Sequence, residues 1–146
     1  LSLIFIDTNV FVYAVDPGYP WKAEAARWVL DHLLATGRGI ISTQVIGEFV
    51  RATSRGRTDA AQRVRTANEA RLLLEEWATV PLTSRIVENA LTTWARHQIP
   101  YWDAQMCATA LDVGCKTILT EDVRATTEGV RYVNPFAEGF TLRDLA

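Results

Sequence analysis

The chain has 146 residues, 49% of them apolar, with 15 basic and 17 acidic side chains for a net charge of −2. That length suits one domain over residues 1–146 with a sizeable core, and the apolar fraction excludes a disordered chain. A near-neutral total excludes wholesale coating of nucleic acid by net charge, but it leaves room for a local basic patch beside an acidic pocket.

Leu3-Ile4-Phe5-Ile6 is a continuous apolar run and predicts a strand buried on both faces, as in a parallel sheet. It has no basic flank and meets Asp7 too early for a signal peptide. No apolar run in the chain approaches the roughly 20 residues of a membrane span, so a cytoplasmic protein with no membrane partner is expected. Asp7-Thr8-Asn9 suits a strand-to-helix turn and N-cap, ahead of a short helix over Val10 to Val15. Asp16-Pro17-Gly18 breaks it.

Trp21, Ala25, Trp28, Val29 and Leu33 recur at helical spacing and predict a helix from Pro20 to Leu34, stopped at Thr36-Gly37. Gly39 to Ser42 reads as a second strand, and Ser42 or Thr43 caps a helix carrying Val45, Ile46, Phe49 and Val50. Thr58 to Trp77 is helical, Thr79 to Leu82 strand-like, and Thr83/Ser84 caps a helix running to about His97. Asp103 opens a helix to Val113, with Gly114 as its stop. Lys116 to Thr120 and Gly129 to Val133 are the last two strands. Strands alternating with helices predict an α/β fold on a mainly parallel sheet of about five strands. Cys107 and Cys115 sit in apolar surroundings with no C-x-x-C motif and no paired histidines, and read as core fillers of a reducing compartment.

Four acids stand out by position. Asp7 follows the first strand and Asp122 the fourth, and ligands of open α/β sheets bind beyond the carboxyl ends of the strands. Asp103 opens a helix, whose N-terminus lies on that same side. Glu48 lies on a helix beside its apolar face. Each has an ordinary structural role available: a cap, a favourable charge at a helix start, a solvated carboxylate. Gathered together, they could not all stay ionised without a cation. A hard divalent ion that takes oxygen ligands resolves the conflict and suits phosphoryl chemistry.

Four segments carry a family resemblance: Ile6-Asp7-Thr8-Asn9-Val10; Ser42-Thr43-Gln44-Val45-Ile46-Gly47-Glu48-Phe49; Tyr101-Trp102-Asp103-Ala104; and Leu119-Thr120-Glu121-Asp122. In this order and spacing the chain resembles the PIN-domain proteins, in particular the VapC-type toxin ribonucleases. The resemblance implies a three-layer α/β/α sandwich. It implies an endoribonuclease that leaves a 5′-phosphate and a 3′-hydroxyl. It makes Asp7, Glu48, Asp103 and Asp122 the catalytic ligands of Mg²⁺ or Mn²⁺. Thr8 or Thr120 would orient a water or a phosphate, Asn9 would fix the turn or touch substrate, and Glu121 would support Asp122 from behind. The implied partners are RNA, a small cognate antitoxin and a second copy of the chain.

The basic residues are uneven. Arg51, Arg55, Arg57, Arg63, Arg65 and Arg71 face only Asp59 and Glu69, a local excess of +4. Arginine forks match phosphate oxygens, so Arg51, Arg55 and Arg57 are candidate RNA contacts. Trp21, Trp28, Trp77 and Trp94 are expected in core or dimer packing, and Trp102 in the core. Two other readings compete. A haloacid-dehalogenase-like phosphatase wants a second aspartate two residues after the first, where this chain has Asn9. A non-catalytic PIN-like interaction module would keep the fold without the chemistry.

Overall fold

The computed structural model describes residues 1–56 and 59–146; Thr58, the expected start of the third long helix, and Arg57 lie outside the described residues. The apolar run predicted as the first strand forms β1 (Ile4–Ile6), with all three side chains buried. It leads through α1 (Thr8–Val15) and α2 (Pro20–Thr36) to β2 (Gly39–Ser42). Then come α3 (Thr43–Thr53), α4 (Ala60–Glu76) and β3 (Ala78–Val80), followed by α5 (Ser84–Arg96), α6 (Tyr101–Asp112), β4 (Thr117–Leu119) and β5 (Arg131–Val133). The strands pair in parallel in the order β3-β2-β1-β4-β5. Helix α1 packs on both α2 and α3, and α3 on α4, while α5 and α6 pair together. This is the expected α/β/α architecture.

Polar residues at the strand ends set the helix starts. Asp7 caps α1, its Oδ1 accepting the Thr8 N–H at 2.7 Å. Ser42 caps α3 through the Val45 N–H, and Thr83 caps α5 through that of Ile86. Each satisfies a donor that the first helical turn leaves free. Gly37 ends α2 with φ +64°, a conformation that a side chain would strain.

Several boundaries differ from the sequence expectation. Helix α1 begins at Thr8 rather than Val10, because Asp7 is itself the cap. Helix α6 begins at Tyr101 on Pro100, which puts Asp103 in the first turn rather than at its opening. Strand β3 stops before Pro81, whose nitrogen has no hydrogen to donate to the ladder.

The core surrounds the three central strands. Ile4, Phe5, Ile6, Ile41, Ile118 and Leu119 are fully buried. Only Trp77 of the five tryptophans joins them. The buried face of α2 is Ala23, Ala26, Val29, Leu30 and Leu33, which leaves Trp21 and Trp28 at its edge against Phe136 and Phe140. Trp94 is half exposed and Trp102 is 63% exposed, so Trp102 is not the core residue expected. Cys107 and Cys115 are free, buried thiols, each pushed up to about 11 by burial. Among the described residues no helix is long and apolar enough to cross a membrane.

At Gly39 the packing leaves no room for a side chain. A Cβ built there would lie 2.2 Å from the Trp77 ring and 2.9 Å from Ile6 Cδ1. Trp77 is buried and edge-packed on Phe11, so it has nowhere to move. Gly39→Ala is therefore predicted to destabilise the fold by about 1–3 kcal/mol through overpacking. Urea denaturation checks this, and an unchanged midpoint would show that the indole can yield.

Candidate active site

The strand order places the site. The chain runs outward from β1 through β2 to β3, then crosses back to β4 beside β1. The carboxyl ends of β1 and β4 therefore flank a topological switch point, where crevices form in open parallel sheets. Asp7 directly follows β1 and Thr120 directly follows β4. The sheet ladder fixes both: the Asp7 N–H donates to the Leu119 carbonyl at 3.0 Å, and the Thr120 N–H to that of Val133 at 2.9 Å.

Thr120 organises this junction. Its hydroxyl is buried and donates to Asp7 Oδ2 at 2.7 Å. Thr120 Oγ1 itself accepts from the Asn9 amide at 3.1 Å and from the Asp122 N–H at 3.0 Å. Asn9 also approaches Asp7 and Asp122, at 3.4 Å each, and its Oδ1 accepts the Glu121 N–H at 3.3 Å. One threonine and one asparagine thus tie the β1 and β4 acids into a single unit.

Glu48 enters from α3 and Asp103 from α6. The Thr8 hydroxyl donates to Glu48 Oε2 at 2.8 Å, and the Gln44 amide to Oε1 at 2.6 Å. Gln105, buried on α6, donates to Gln44 at 2.7 Å. A polar chain therefore runs from α6 through α3 to α1. Asp103 pairs with Arg124 at 2.9 Å. Asp7, Glu48, Asp103 and Asp122 all line one groove of about 770 Å³, together with Thr8, Asn9, Arg51 and Arg55. Trp102 stands at its edge. Glu121 turns aside, with its carboxylate on Lys22 and Tyr13. Arg63, Arg65 and Arg71 lie along α4, where Arg65 and Arg71 bond Gln62 and Asn68. Sequence reasoning misses the roles of Gln44, Gln105 and Arg124. Each lies within a motif segment or within two residues of one, but only the tertiary structure pairs them.

The electrostatics follow from this crowding. Asp7 is 8% exposed, and burial pushes it up to about 6. The Thr120 and Thr8 hydrogen bonds oppose that shift, while the charges of Glu48 and Asp122 add to it. Burial likewise raises Asp103, against the pull of Arg124 and with the push of Asp122 and Glu48.

A parallel α/β sheet with acids gathered at its switch point defines the class of fold and site. The PIN domain family model matches residues 4–127, and the chain belongs to that family. No curated protein matches it. Among solved structures it is similar to FitAB bound to a DNA fragment, with 20% identity over 94% of this chain and 99% of that one and a TM-score of 0.71. It is similar to a toxin–antitoxin complex from Klebsiella pneumoniae, with 19% identity, 92% and 98% coverage and a TM-score of 0.63. It is also similar to VapC20 of Mycobacterium tuberculosis, a sarcin-ricin loop cleaving toxin, with 20% identity, 88% and 98% coverage and a TM-score of 0.60. At these identities the likeness is one of fold. Family membership removes the dehalogenase-like alternative.

The donor set fits a hard divalent cation. All four candidate ligands offer carboxylate oxygens, and their mutual repulsion is what a cation relieves. Among the described residues no three acids are already drawn in around one point. Glu48 is instead held by Thr8 and Gln44, and Asp103 by Arg124.

The Asp7 shift has a consequence for stability. The unfolded chain releases this proton near 3.8 and the folded one near 6. Between those values the fold keeps a proton that the unfolded chain has lost. This contribution is full below the lower value and disappears as pH rises through the upper one. With chelator present, the unfolding free energy of wild type minus that of Asp7→Asn should fall by about 2 kcal/mol from about pH 4 to about pH 8. Chemical denaturation across that range tests this, and a difference flat in pH would remove the buried-carboxylate account.

Proposed function

We propose that the chain is a metal-dependent endoribonuclease and the toxin of a toxin–antitoxin pair. The observation that carries this reading is the meeting of Asp7, Glu48, Asp103 and Asp122, from four separate elements, in one groove that also holds Arg51 and Arg55. The PIN family and the toxin structures of like fold support it.

Asp7, Glu48, Asp103 and Asp122 would hold Mg²⁺ or Mn²⁺. When bound, such an ion supplies Lewis acidity, lowering the pKa of a coordinated water and offsetting charge on the phosphate. Thr8 and Thr120 set the carboxylate orientations through their hydroxyls, and Asn9 locks the two strand ends together. Arg51 and Arg55 would receive the RNA phosphates. Arg57 remains a candidate for the same role. The nucleophile is water rather than a side chain: both thiols are buried and held protonated, and neither His32 nor His97 lines the groove. A small antitoxin covering the groove and a second copy of the chain are the expected partners.

Purified, antitoxin-free protein should cleave RNA in Mg²⁺ or Mn²⁺ and stop on chelation. Asp7→Asn and Glu48→Gln should each lower cleavage at least about a hundredfold, the upper range for losing even a residue that supports a metal ligand. Circular dichroism should show the fold intact. Arg51→Ala or Arg55→Ala should flatten the salt dependence of single-stranded RNA binding by about 0.7 in log–log slope for each phosphate that is no longer neutralised. Full cleavage by Asp7→Asn would overturn the assignment. A wild type that binds the antitoxin but cuts nothing would favour the interaction module.

A further inference from the structure

One charged side chain near the groove stands apart from the rest. Thirteen of the fifteen basic residues are arginine, yet among the described residues the one set among several aromatic rings is Lys22. Its ammonium lies 4.3 Å from the centre of the Tyr13 ring, and 5.5 to 5.6 Å from those of Tyr19, Phe136 and Trp21. It bonds the Tyr13 hydroxyl at 3.2 Å and pairs with the Glu121 carboxylate. The Tyr13 hydroxyl in turn donates to Glu121 at 3.0 Å. The Lys22 and Glu121 side chains are 17% and 31% exposed, so the pair is partly buried and only partly screened by solvent. Aromatic faces attract a cation most when it is desolvated.

What this cluster grips is the residue before Asp122. The Glu121 N–H is held by Asn9, and its side chain by Lys22 and by Tyr13, which itself lines the groove. The clasp joins α1 and α2 to the turn after β4. That turn runs with no regular helix or strand from Thr120 to the start of β5 at Arg131.

We propose that Lys22 is a positioning residue, which with Tyr13 and Glu121 clamps the turn after β4 so that Asp122 faces the acidic groove. The inference rests on the reading of that groove as a divalent-cation site. It assigns Glu121 a role through Lys22, not as a direct support of the neighbouring carboxylate.

The sign of one substitution separates positioning from simple electrostatics. Lys22→Met removes a positive charge near an acidic site, and by Coulomb's law alone that tightens cation binding. If the clamp positions Asp122, the same substitution loosens it. Binding of Mn²⁺ alone to the full chain, followed by calorimetry and by the Mn²⁺ spin-resonance signal, reads this without any activity assay. The expected result is about a tenfold weaker Kd in Lys22→Met, within the range seen when a partner behind a metal ligand is removed. Tyr13→Phe keeps the ring and all charges but deletes the bridging hydroxyl. It should weaken Mn²⁺ several-fold, and it decides the matter alone if Lys22→Met does not fold. Unchanged or tighter binding in the folded variants overturns the clamp, even if their Tm falls, because the cluster would then be structural only. A wild type that does not bind Mn²⁺ overturns the cation site itself, and the clamp with it.

Discussion

Carboxylates repel one another, and this fold lines one groove with four of them beside its topological switch point. Asp7 sits deepest, 8% exposed, beside the charges of Glu48 and Asp122. Burial is the largest force acting on it, and the Thr120 hydroxyl and Thr8 N–H oppose that force only in part. Much of the surrounding structure offsets this repulsion. The start of α1 supplies a backbone donor, Thr120 a hydroxyl, Asn9 an amide, and Arg124 a full charge for Asp103. Among the described residues no direct partner of Asp7 brings positive charge. A core optimised for stability alone would not bury a carboxylate there.

Rigid attachment keeps the repelling groups together. Asp7 and Thr120 are fixed by backbone bonds between neighbouring parallel strands, so neither can retreat without breaking the sheet. Glu48 and Asp103 stand on α3 and α6, linked through Gln44 and Gln105. Only Asp122 lies in a turn. Its hold depends on side chains: Thr120 and Asn9 directly, and the clasp of Lys22 and Tyr13 on the preceding Glu121.

The strands are legible in the sequence because each is a short apolar run ended by a polar cap, and a parallel sheet buries both faces of its central strands. Helix starts are legible to within two residues at Ser42 and Thr83, where the cap hydroxyl is explicit. At Asp7 the sequence pattern starts the helix late, because the residue suits a turn and serves as the cap itself. The placement of Asp7 and Asp122 at strand ends can be read from the sequence, since strand direction alone decides it. The partners cannot. Gln44 to Glu48, Arg124 to Asp103 and Lys22 to Glu121 are polar contacts, and no periodicity marks them. The tryptophans mislead for a related reason. Trp21 and Trp28 share the helical spacing of the core face but sit at its margin, where aromatic rings cover the C-terminal segment rather than enter the sheet.

The charge count gains meaning from the same geometry. A run of six arginines from Arg51 to Arg71 looks like one basic patch in sequence. The helical path divides it. Arg51 and Arg55 turn to the groove, whereas Arg65 and Arg71 bond neighbours along α4. The cations fixed in place are of both kinds, arginine at Arg38 and Arg124 and lysine at Lys22. A planar guanidinium suits a carboxylate or phosphate fork, as Arg124 suits Asp103. Lys22 meets a different demand, because its charge is surrounded by four rings, a hydroxyl and one carboxylate. A compact ammonium with three donors can satisfy the hydroxyl and the carboxylate while its charge stays against the rings. Lys22 thus fixes one part of the groove's frame as Arg124 fixes another, each cation suited by its shape to the partners around it.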